Sequence, residues 1–219
     1  MTERSYDDAC AMARALDVVG ERWTLLVVRE LLLGPKRFGD LRSGLPTISQ
    51  NVLTRRIREM EQARLVERIL LDPPANTPAY RLTTRGLQLR PVLIELSRWG
   101  VLQPAPPGAE QSPAALLLGF SALYEPARMG ATTTAVLTIG RENFTLTAST
   151  NGLQVEQGAV GDVDFRATGT VGALRATLGR GGDPKSFEDT GELTIIGDRA
   201  GFARLSHCFP APALLGSTT

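Results

Sequence analysis

The sequence predicts an α+β protein of two domains, and three observations support this prediction. Helically spaced apolar residues dominate residues 1–100, where they are interrupted by one short hairpin pattern. A Pro-rich stretch without an apolar period follows at residues 103–113 and is typical of a stiff linker. Beyond it, several short extended segments alternate with helical ones, as in a sheet covered by helices. We therefore expect domains at residues 1–102 and 114–219.

Charge is distributed unevenly between the two parts. Residues 1–100 contain 16 Lys and Arg against 12 Asp and Glu, a net charge of +4, whereas the remainder has a net charge of −3. Only the first part is suited to a polyanion. The chain lacks a leader pattern and an apolar run of the roughly 18 residues that a membrane helix needs. We expect a cytoplasmic protein without a membrane partner.

Two helices are predicted first, over residues 7–19 and 21–33. Asp7 and Asp8 begin the first helix, Gly20 interrupts, and Pro35 prevents continuation beyond the second. The apolar side chains of the second helix are most simply core: Trp23, Leu26, Val27, Leu31 and Leu32. Trp23 could instead stack on a ligand.

For a later helix, the sequence predicts both the start and the division into an apolar and a polar face. Thr47 and Gln50 have the spacing of a capping box, which predicts a helix that begins near Ile48. An apolar stripe follows at Leu53, Ile57 and Met60, and the opposite face carries Asn51, Arg55, Arg58 and Gln62. Arg can bind guanine and Asn or Gln can bind adenine in the major groove. A solvated basic face is the alternative interpretation.

The neighbouring segments favour DNA binding over that alternative. A short helix with Phe38 and Leu41 precedes Pro46, and an extended alternation covers residues 66–70. The Pro-rich residues 72–78 cannot continue a strand, and residues 80–82 resume one. Helix, turn, helix and hairpin together form a winged helix.

A final helix of this domain is capped by Thr83. Its apolar residues are Leu87, Leu89, Val92, Leu93, Leu96 and Trp99, and Pro91 would kink it. This is more apolar surface than a lone exposed helix should show, so we expect it to pack, with the first helix, against a symmetry mate. Packing within the monomer is the alternative.

These segments resemble the HxlR family of bacterial winged-helix regulators. The resemblance rests on Cys10, ALDVVGERWTLLVVRELLLGPKRFGDL, ISQNVLTRRIREME, LVER, the Pro-rich wing, YRLTTRGLQL and Trp99-Gly100. The family often has Gly-Gly-Lys-Trp where this chain has Gly20-Glu21-Arg22-Trp23. The resemblance implies a homodimer, expected to be a repressor, on a pseudo-palindromic operator. The residues expected to face DNA, approach phosphate or support the wing are Lys36, Arg37, Ser49, Gln50, Asn51, Thr54, Arg55, Arg56, Arg58, Arg68, Asn76 and Arg81. For Arg56, at the edge of the apolar stripe, the alternatives are phosphate contact and an internal ion pair.

Cys10 has two interpretations. In several regulators of this type an N-terminal Cys senses oxidants or electrophiles, and a thiol at a helix start can have a lowered pKa. Alternatively, Cys10 is a small buried side chain at the dimer seam. Cys10 and Cys208 have no metal-ligand spacing, and His207 is near no catalytic set, so we predict no metal, no cofactor and no enzyme activity.

The second domain is predicted to contain helices at residues 114–124, 170–179 and 198–208. Extended segments are predicted at residues 132–139, 143–149, 153–156, 163–168 and 191–196, and Asn151-Gly152 marks a hairpin. The order of these segments, with VDFRATGTVGALRATLGRGGDP and GELTIIGDRAGFARLSHCF, resembles a sterol-carrier-protein domain. That resemblance implies a five-stranded sheet and an apolar tunnel.

The tunnel residues would be Leu117, Phe120, Leu137, Ile139, Phe144, Leu146, Phe165, Leu174, Leu178, Phe187, Phe202 and Leu205, any of which could be plain core. The sequence as a whole predicts a DNA-binding transcription regulator whose second domain senses an apolar small molecule. One alternative is thiol sensing through Cys10 with a structural second domain. An alternative of another class is a carrier of lipids or other apolar ligands.

Overall fold

The computed structural model describes residues 5–106 and 108–210. Its internal contacts divide the chain into two units that meet between Leu93 and Ile94. The division into domains at a linker of residues 103–113 stays a prediction. Residue 107 of that linker, residues 1–4 of the predicted first domain and residues 211–219 of the predicted second domain lie outside the described residues. Within the described ranges, no helix has both the length and the apolar character needed to cross a bilayer.

The first unit contains the predicted order of helix, turn, helix and hairpin. Its elements are α1 (Ala11–Val19), α2 (Thr24–Leu31), α3 (Phe38–Gly44), α4 (Gln50–Gln62), β1 (Val66–Leu70), β2 (Pro78–Leu82), α5 (Thr84–Leu87) and the first residues of α6 (Arg90–Gly100). The strands β1 and β2 are antiparallel, with Val66 opposite Leu82 and Leu70 opposite Pro78. Pro78 is tolerated because it begins the strand.

The first two helices begin later than predicted. The segment before α1 is held in a non-helical form because the Tyr6 N–H donates to Asp17 Oδ1 at 2.9 Å and the Cys10 N–H donates to Asp8 Oδ1 at 2.8 Å. Asp7 has a φ of 49°, which is incompatible with a right-handed helix. Before α2, Glu21 lies in a turn, and its backbone carbonyl accepts the Thr24 N–H at 2.9 Å. The predicted helix start at Glu21 is therefore wrong.

The predicted capping residue of α4 is also wrong. The hydroxyl of Ser49, and not that of Thr47, accepts a backbone hydrogen bond, from Val52 N–H at 3.3 Å. The Ile48 N–H instead closes the preceding turn on the Leu45 carbonyl at 3.0 Å, and the Ile48 side chain is buried. Since Ser is an equally good N-cap, Ser49 caps the helix, which begins at Gln50.

Thr83 caps α5 as predicted, because its Oγ1 accepts the Gly86 N–H at 3.1 Å. The same hydroxyl donates to the Arg64 carbonyl at 2.6 Å, which ties α5 to the end of α4. A Cβ at Gly86 would lie 2.2 Å from the Leu65 carbonyl oxygen, so only glycine fits there. The predicted single helix is two helices, α5 and α6, and the break comes just before Pro91, which lies in the first turn of α6, where proline is tolerated.

The second unit has a five-stranded sheet, as predicted. Its elements after α6 are α7 (Pro113–Leu123), a 3-10 turn (Pro126–Arg128), β3 (Thr133–Ile139), β4 (Glu142–Ser149), β5 (Gly152–Gln157), β6 (Phe165–Gly169), α8 (Val171–Arg180), α9 (Pro184–Asp189), β7 (Leu193–Gly197) and α10 (Arg199–His207). The strand order is β5-β4-β3-β6-β7, with β3 and β6 parallel. The short helix α9 was not predicted.

The residues proposed to line a tunnel form a packed core. Eleven of them are buried and expose 5% or less of their surface: Leu117, Phe120, Leu137, Ile139, Phe144, Leu146, Phe165, Leu174, Leu178, Phe202 and Leu205. A tunnel wide enough for a hydrocarbon chain would leave accessible surface on its lining, because a water-sized probe would fit inside it. Phe187, on α9, is half-buried and does not belong to this buried set. These positions are therefore closed in this structure.

Candidate nucleic-acid interface

One face of α4 presents polar side chains to solvent. Ser49, Gln50, Asn51, Arg55 and Arg58 are exposed. An open depression along this face is lined by Asn51, Thr54, Arg55, Arg58, Glu59 and Gln62. The predicted amide and guanidinium face is thus present as one continuous surface, with donors and acceptors suited to base edges.

Thr54 plays a smaller part on this face than predicted. Its hydroxyl donates to the Gln50 carbonyl at 2.9 Å, four residues earlier on the same helix, so its donor is already in use. Its side chain is half-buried. Thr54 still lines the depression, and Thr can contact a thymine methyl.

Arg56 does not belong to the exposed face. Only 5% of the residue is exposed, and its Nη2 donates to Glu21 Oε2 at 3.0 Å. Nη1 pairs with Glu59 on the same helix, and the buried Nε has no partner among the described residues. The prediction that Arg56 contacts DNA is corrected, since the internal ion pair is what forms. A guanidinium between two carboxylates has no free edge for a phosphate.

Lys36 is likewise unavailable for the phosphate contact that was predicted. It is 8% exposed, and its Nζ donates to Glu30 Oε2 at 2.9 Å. Arg29 donates to the other oxygen of the fully buried Glu30 through Nε at 3.0 Å and Nη2 at 2.8 Å. Burial requires this charge to be paired, so Lys36 is retained inside. Arg37, the next residue, is exposed at the start of α3 and keeps its predicted availability.

The same buried carboxylate contacts the end of α3. A Cβ on Gly44 would lie 2.3 Å from Glu30 Oε2, so a larger residue would displace the carboxylate. Lys36 also joins the wing through its main chain. Its N–H donates to the Tyr80 carbonyl at 2.9 Å, and its carbonyl accepts from the Tyr80 N–H at 2.8 Å. Glu30 and Lys36 together therefore connect α2, α3 and the wing.

The wing carries three predicted residues in different states. Arg81 Nε donates to Glu67 Oε1 at 2.7 Å across the two strands, which supports the hairpin rather than leaving the cation free. Arg68 is exposed on β1. Asn76 is exposed in the turn, with a φ of 38° that asparagine tolerates better than most residues.

Apolar side chains of α1 and α6 remain uncovered in the single chain. On α6, Leu96 is 49% and Trp99 63% exposed, and Val92 is similarly open. On α1, Met12 and Leu16 are exposed. The alternative of packing within the monomer therefore does not account for these residues, whereas Leu93 of α6 is buried. Trp23 is half-buried, and Arg22 Cζ lies 5.3 Å from its ring centroid, within the range of a cation–π contact.

The two cysteines differ in exposure and in acidity. Cys10 is exposed at the N-cap of α1, and hydrogen bonds from the backbone of Ala13 and then Met12 lower its pKa. The interpretation of Cys10 as a side chain buried at the dimer seam stays a prediction, because this exposure is that of a single chain. Cys208 is buried, 3.5 Å from Met129 Sδ, and burial raises its pKa.

His207 ends α10 and is exposed. In the described ranges, no cluster of three His, Cys, Asp or Glu could hold a metal.

Sequence comparisons place the match over the first unit and the start of the second. A family model described as HxlR-like helix-turn-helix matches residues 18–106. The HTH-type transcriptional regulator YvaP of Bacillus subtilis (strain 168) is 36% identical over 86 residues, which are 39% of this chain and 80% of the relative. The HTH-type transcriptional regulator YodB of the same strain is 38% identical over 88 residues, 40% of this chain and 79% of the relative.

Solved structures also match part of the chain. The reduced form of YodB from B. subtilis is 35% identical, covers 47% of this chain and all (100%) of that chain, with a TM-score of 0.39. The redox regulator HypR in its oxidized form is 30% identical, covers 44% of this chain and 100% of that chain, with a TM-score of 0.41.

We predict that Glu30→Gln destabilises the first unit strongly. The substitution leaves Lys36 and Arg29 without their shared carboxylate, and breaking a buried ion pair costs about 3–5 kcal/mol. Glu67→Gln is the matched control, because it removes an exposed pair worth at most about 1 kcal/mol. Urea unfolding gives both free energies of unfolding. Equal small losses for the two variants would show that the buried pair does not hold this unit together.

Proposed function

The chain belongs to the HxlR-like helix-turn-helix family of transcription regulators, and we propose that it binds an operator in double-stranded DNA through the exposed face of α4. The observation that carries this proposal is the chemistry of that face. Asn51, Arg55 and Arg58 are exposed together, next to Gln62, and none of the three is buried in an ion pair. Arg55 lies 3.9 Å from Glu59 and remains 66% exposed in its side chain, so it can turn toward a base or a phosphate.

The protein would act as a homodimer. A helix-turn-helix domain reads one half-site, and two-fold related copies read a pseudo-palindromic operator. The exposed apolar side chains of α6 supply a surface for the second copy, since Leu96 and Trp99 are otherwise left in water. Repression, as opposed to activation, stays a prediction from the family resemblance.

A second candidate function is thiol sensing through Cys10. The exposed thiol at the start of α1, with its pKa lowered by two backbone hydrogen bonds, favours it. A lowered pKa increases the thiolate fraction at neutral pH, and the thiolate is the species that attacks electrophiles and oxidants. Sensing of an apolar molecule by the second unit also stays a prediction, and the closed core gives it no support.

We predict that Arg58→Ala weakens operator binding by about 1–3 kcal/mol, which is the range for one specific base contact. The probe is a duplex selected by the wild-type protein from a random library, and fluorescence anisotropy measures the affinity. Arg14→Ala is the matched control, because it removes the same charge from the exposed surface of α1. An equal loss in both variants would contradict the assignment of α4 as the helix that contacts bases.

We predict that Leu96→Glu converts the dimer to a monomer that no longer binds the operator. A charge placed in an apolar contact between two copies would have to be desolvated without a partner. Ile196→Glu is the control, since Ile196 is also an exposed apolar residue but lies on β7. Sedimentation velocity measures the oligomeric state. A Leu96→Glu variant that remains dimeric would exclude this part of α6 from the dimer interface.

We predict that Cys10 reacts with iodoacetamide faster than free cysteine at pH 7, while Cys208 reacts only after unfolding. Because the pKa of Cys10 is lowered, its alkylation rate should level off at a lower pH than that of free cysteine, and it should fall as the pH drops through the lowered pKa. Mass spectrometry of the modified peptides gives both rates. An electrophile that reduces operator affinity equally in wild type and Cys10→Ser would exclude thiol sensing through this residue.

A further inference from the structure

An ion pair between the buried guanidinium of Arg56 and the exposed carboxylate of Glu21 connects α4 to the turn between α1 and α2. Arg56 points from the inner side of α4 and donates to Glu21, which is 35 residues earlier in the chain. We propose that Glu21 is a positioning residue for DNA binding: it holds α4 in orientation through Arg56 and does not itself contact DNA. This inference rests on the proposed function, because it assigns how the face of α4 is oriented.

The geometry gives the guanidinium two different anchors. Nη1 pairs with Glu59, which belongs to the same helix, and Nη2 pairs with Glu21, which belongs to a separate segment. Only the second contact can fix α4 relative to its surroundings, because the first moves with the helix. The planar guanidinium holds a defined angle to each carboxylate, which a flexible ammonium would not do.

Arg56 also has little freedom to rearrange. The residue is buried, and its Nε already lacks a partner within the described ranges, so loss of Glu21 would leave a second nitrogen of the head group without a protein partner. Loss of Glu21 would therefore leave a buried cation with the Glu59 carboxylate alone. The simplest relief is a shift of the helix that brings Arg56 toward water.

Small shifts of α4 are enough to disturb base contacts. Side chains extend roughly 5–6 Å from a helix axis, so a rotation of about 10° moves their tips by about 1 Å. Hydrogen bonds to base edges tolerate less than that before they weaken. The exposed Arg55 and Arg58 flank Arg56 on this helix, so they would move with it.

The direction in which one substitution changes DNA affinity distinguishes a positioning role of Glu21 from a purely electrostatic one. Glu21→Gln removes a negative charge from a DNA-binding unit, and by the electrostatic field alone it should tighten binding to polyanionic DNA. If Glu21 holds α4 through Arg56, the same substitution should weaken binding to the selected duplex. We expect a loss of about tenfold, the equivalent of one specific base contact.

The experiment compares Glu21→Gln with Glu61→Gln in fluorescence anisotropy with the selected duplex and with a scrambled duplex. Glu61 lies on α4 and forms no ion pair among the described residues, so its substitution makes the same charge change without releasing Arg56. We expect Glu21→Gln to weaken binding to the selected duplex only. Glu61→Gln should leave binding to that duplex unchanged or tighten it. Tighter or unchanged binding by Glu21→Gln would overturn the proposal.

A second background keeps the test decisive if Glu21→Gln also lowers stability. In Arg56→Met the ion pair is already gone, so adding Glu21→Gln should produce no further loss of affinity, because the effect of Glu21 passes through Arg56. An equal loss in both backgrounds would overturn the proposal. Failure of the wild-type protein to enrich any duplex would instead contradict the proposed function, so the two failures are distinguishable.

Discussion

The negative charge of Glu30 is placed where no solvent reaches it, and the DNA-binding unit is assembled around its neutralisation. Lys36 and Arg29 each donate to one of its oxygens, and Gly44 leaves the space that the carboxylate occupies. Because Lys36 also pairs through its main chain with Tyr80, the wing is held to the same point. Moving any one of these groups would leave a buried charge without a partner, which is among the costliest defects in a protein interior.

A consequence is that basic residues of this unit divide into two sets. Lys36 and Arg56 are buried and have fixed carboxylate partners, so they support the scaffold. Arg55 and Arg58 are exposed on α4, where side chains can adjust to a ligand. The net positive charge of this part of the chain therefore overstates the number of cations available to DNA. The exposed set, on one helix face, determines what the surface can recognise.

Much of the fold could be predicted because local sequence patterns determine its strands, caps and turns. The alternation of β1 and β2 around a Pro-rich turn, the cap at Thr83 and the hairpin at Asn151-Gly152 all have the predicted form. Helix starts were less accessible, since Thr47 and Ser49 are both acceptable caps and only the burial of Ile48 selects between them. The late start of α1 likewise depends on Asp17, two residues before the end of that helix, because its carboxylate holds the segment that precedes the helix.

The exposed face of the candidate site was predicted, whereas the carboxylate partners of its buried cations were not. Helical periodicity places Asn51, Arg55 and Arg58 together without any tertiary information. Whether Lys36 or Arg56 points outward depends on Glu30 and Glu21, which lie in other segments, and a single sequence does not pair them. Glu21 is also where the chain departs from the pattern that the family often shows, and the ion pair with Arg56 gives that departure a structural role.

The burial of the Glu30 carboxylate separates two kinds of electrostatics within one small unit. Exposed guanidinium groups on α4 are screened by dissolved ions over a Debye length of about 10 Å at 0.1 M salt, whereas the Glu30 carboxylate is out of reach of those ions. Rising ionic strength should therefore release DNA while the scaffold that presents α4 stays intact. The protein could then be eluted from a DNA column by salt and loaded again, folded and ready to bind.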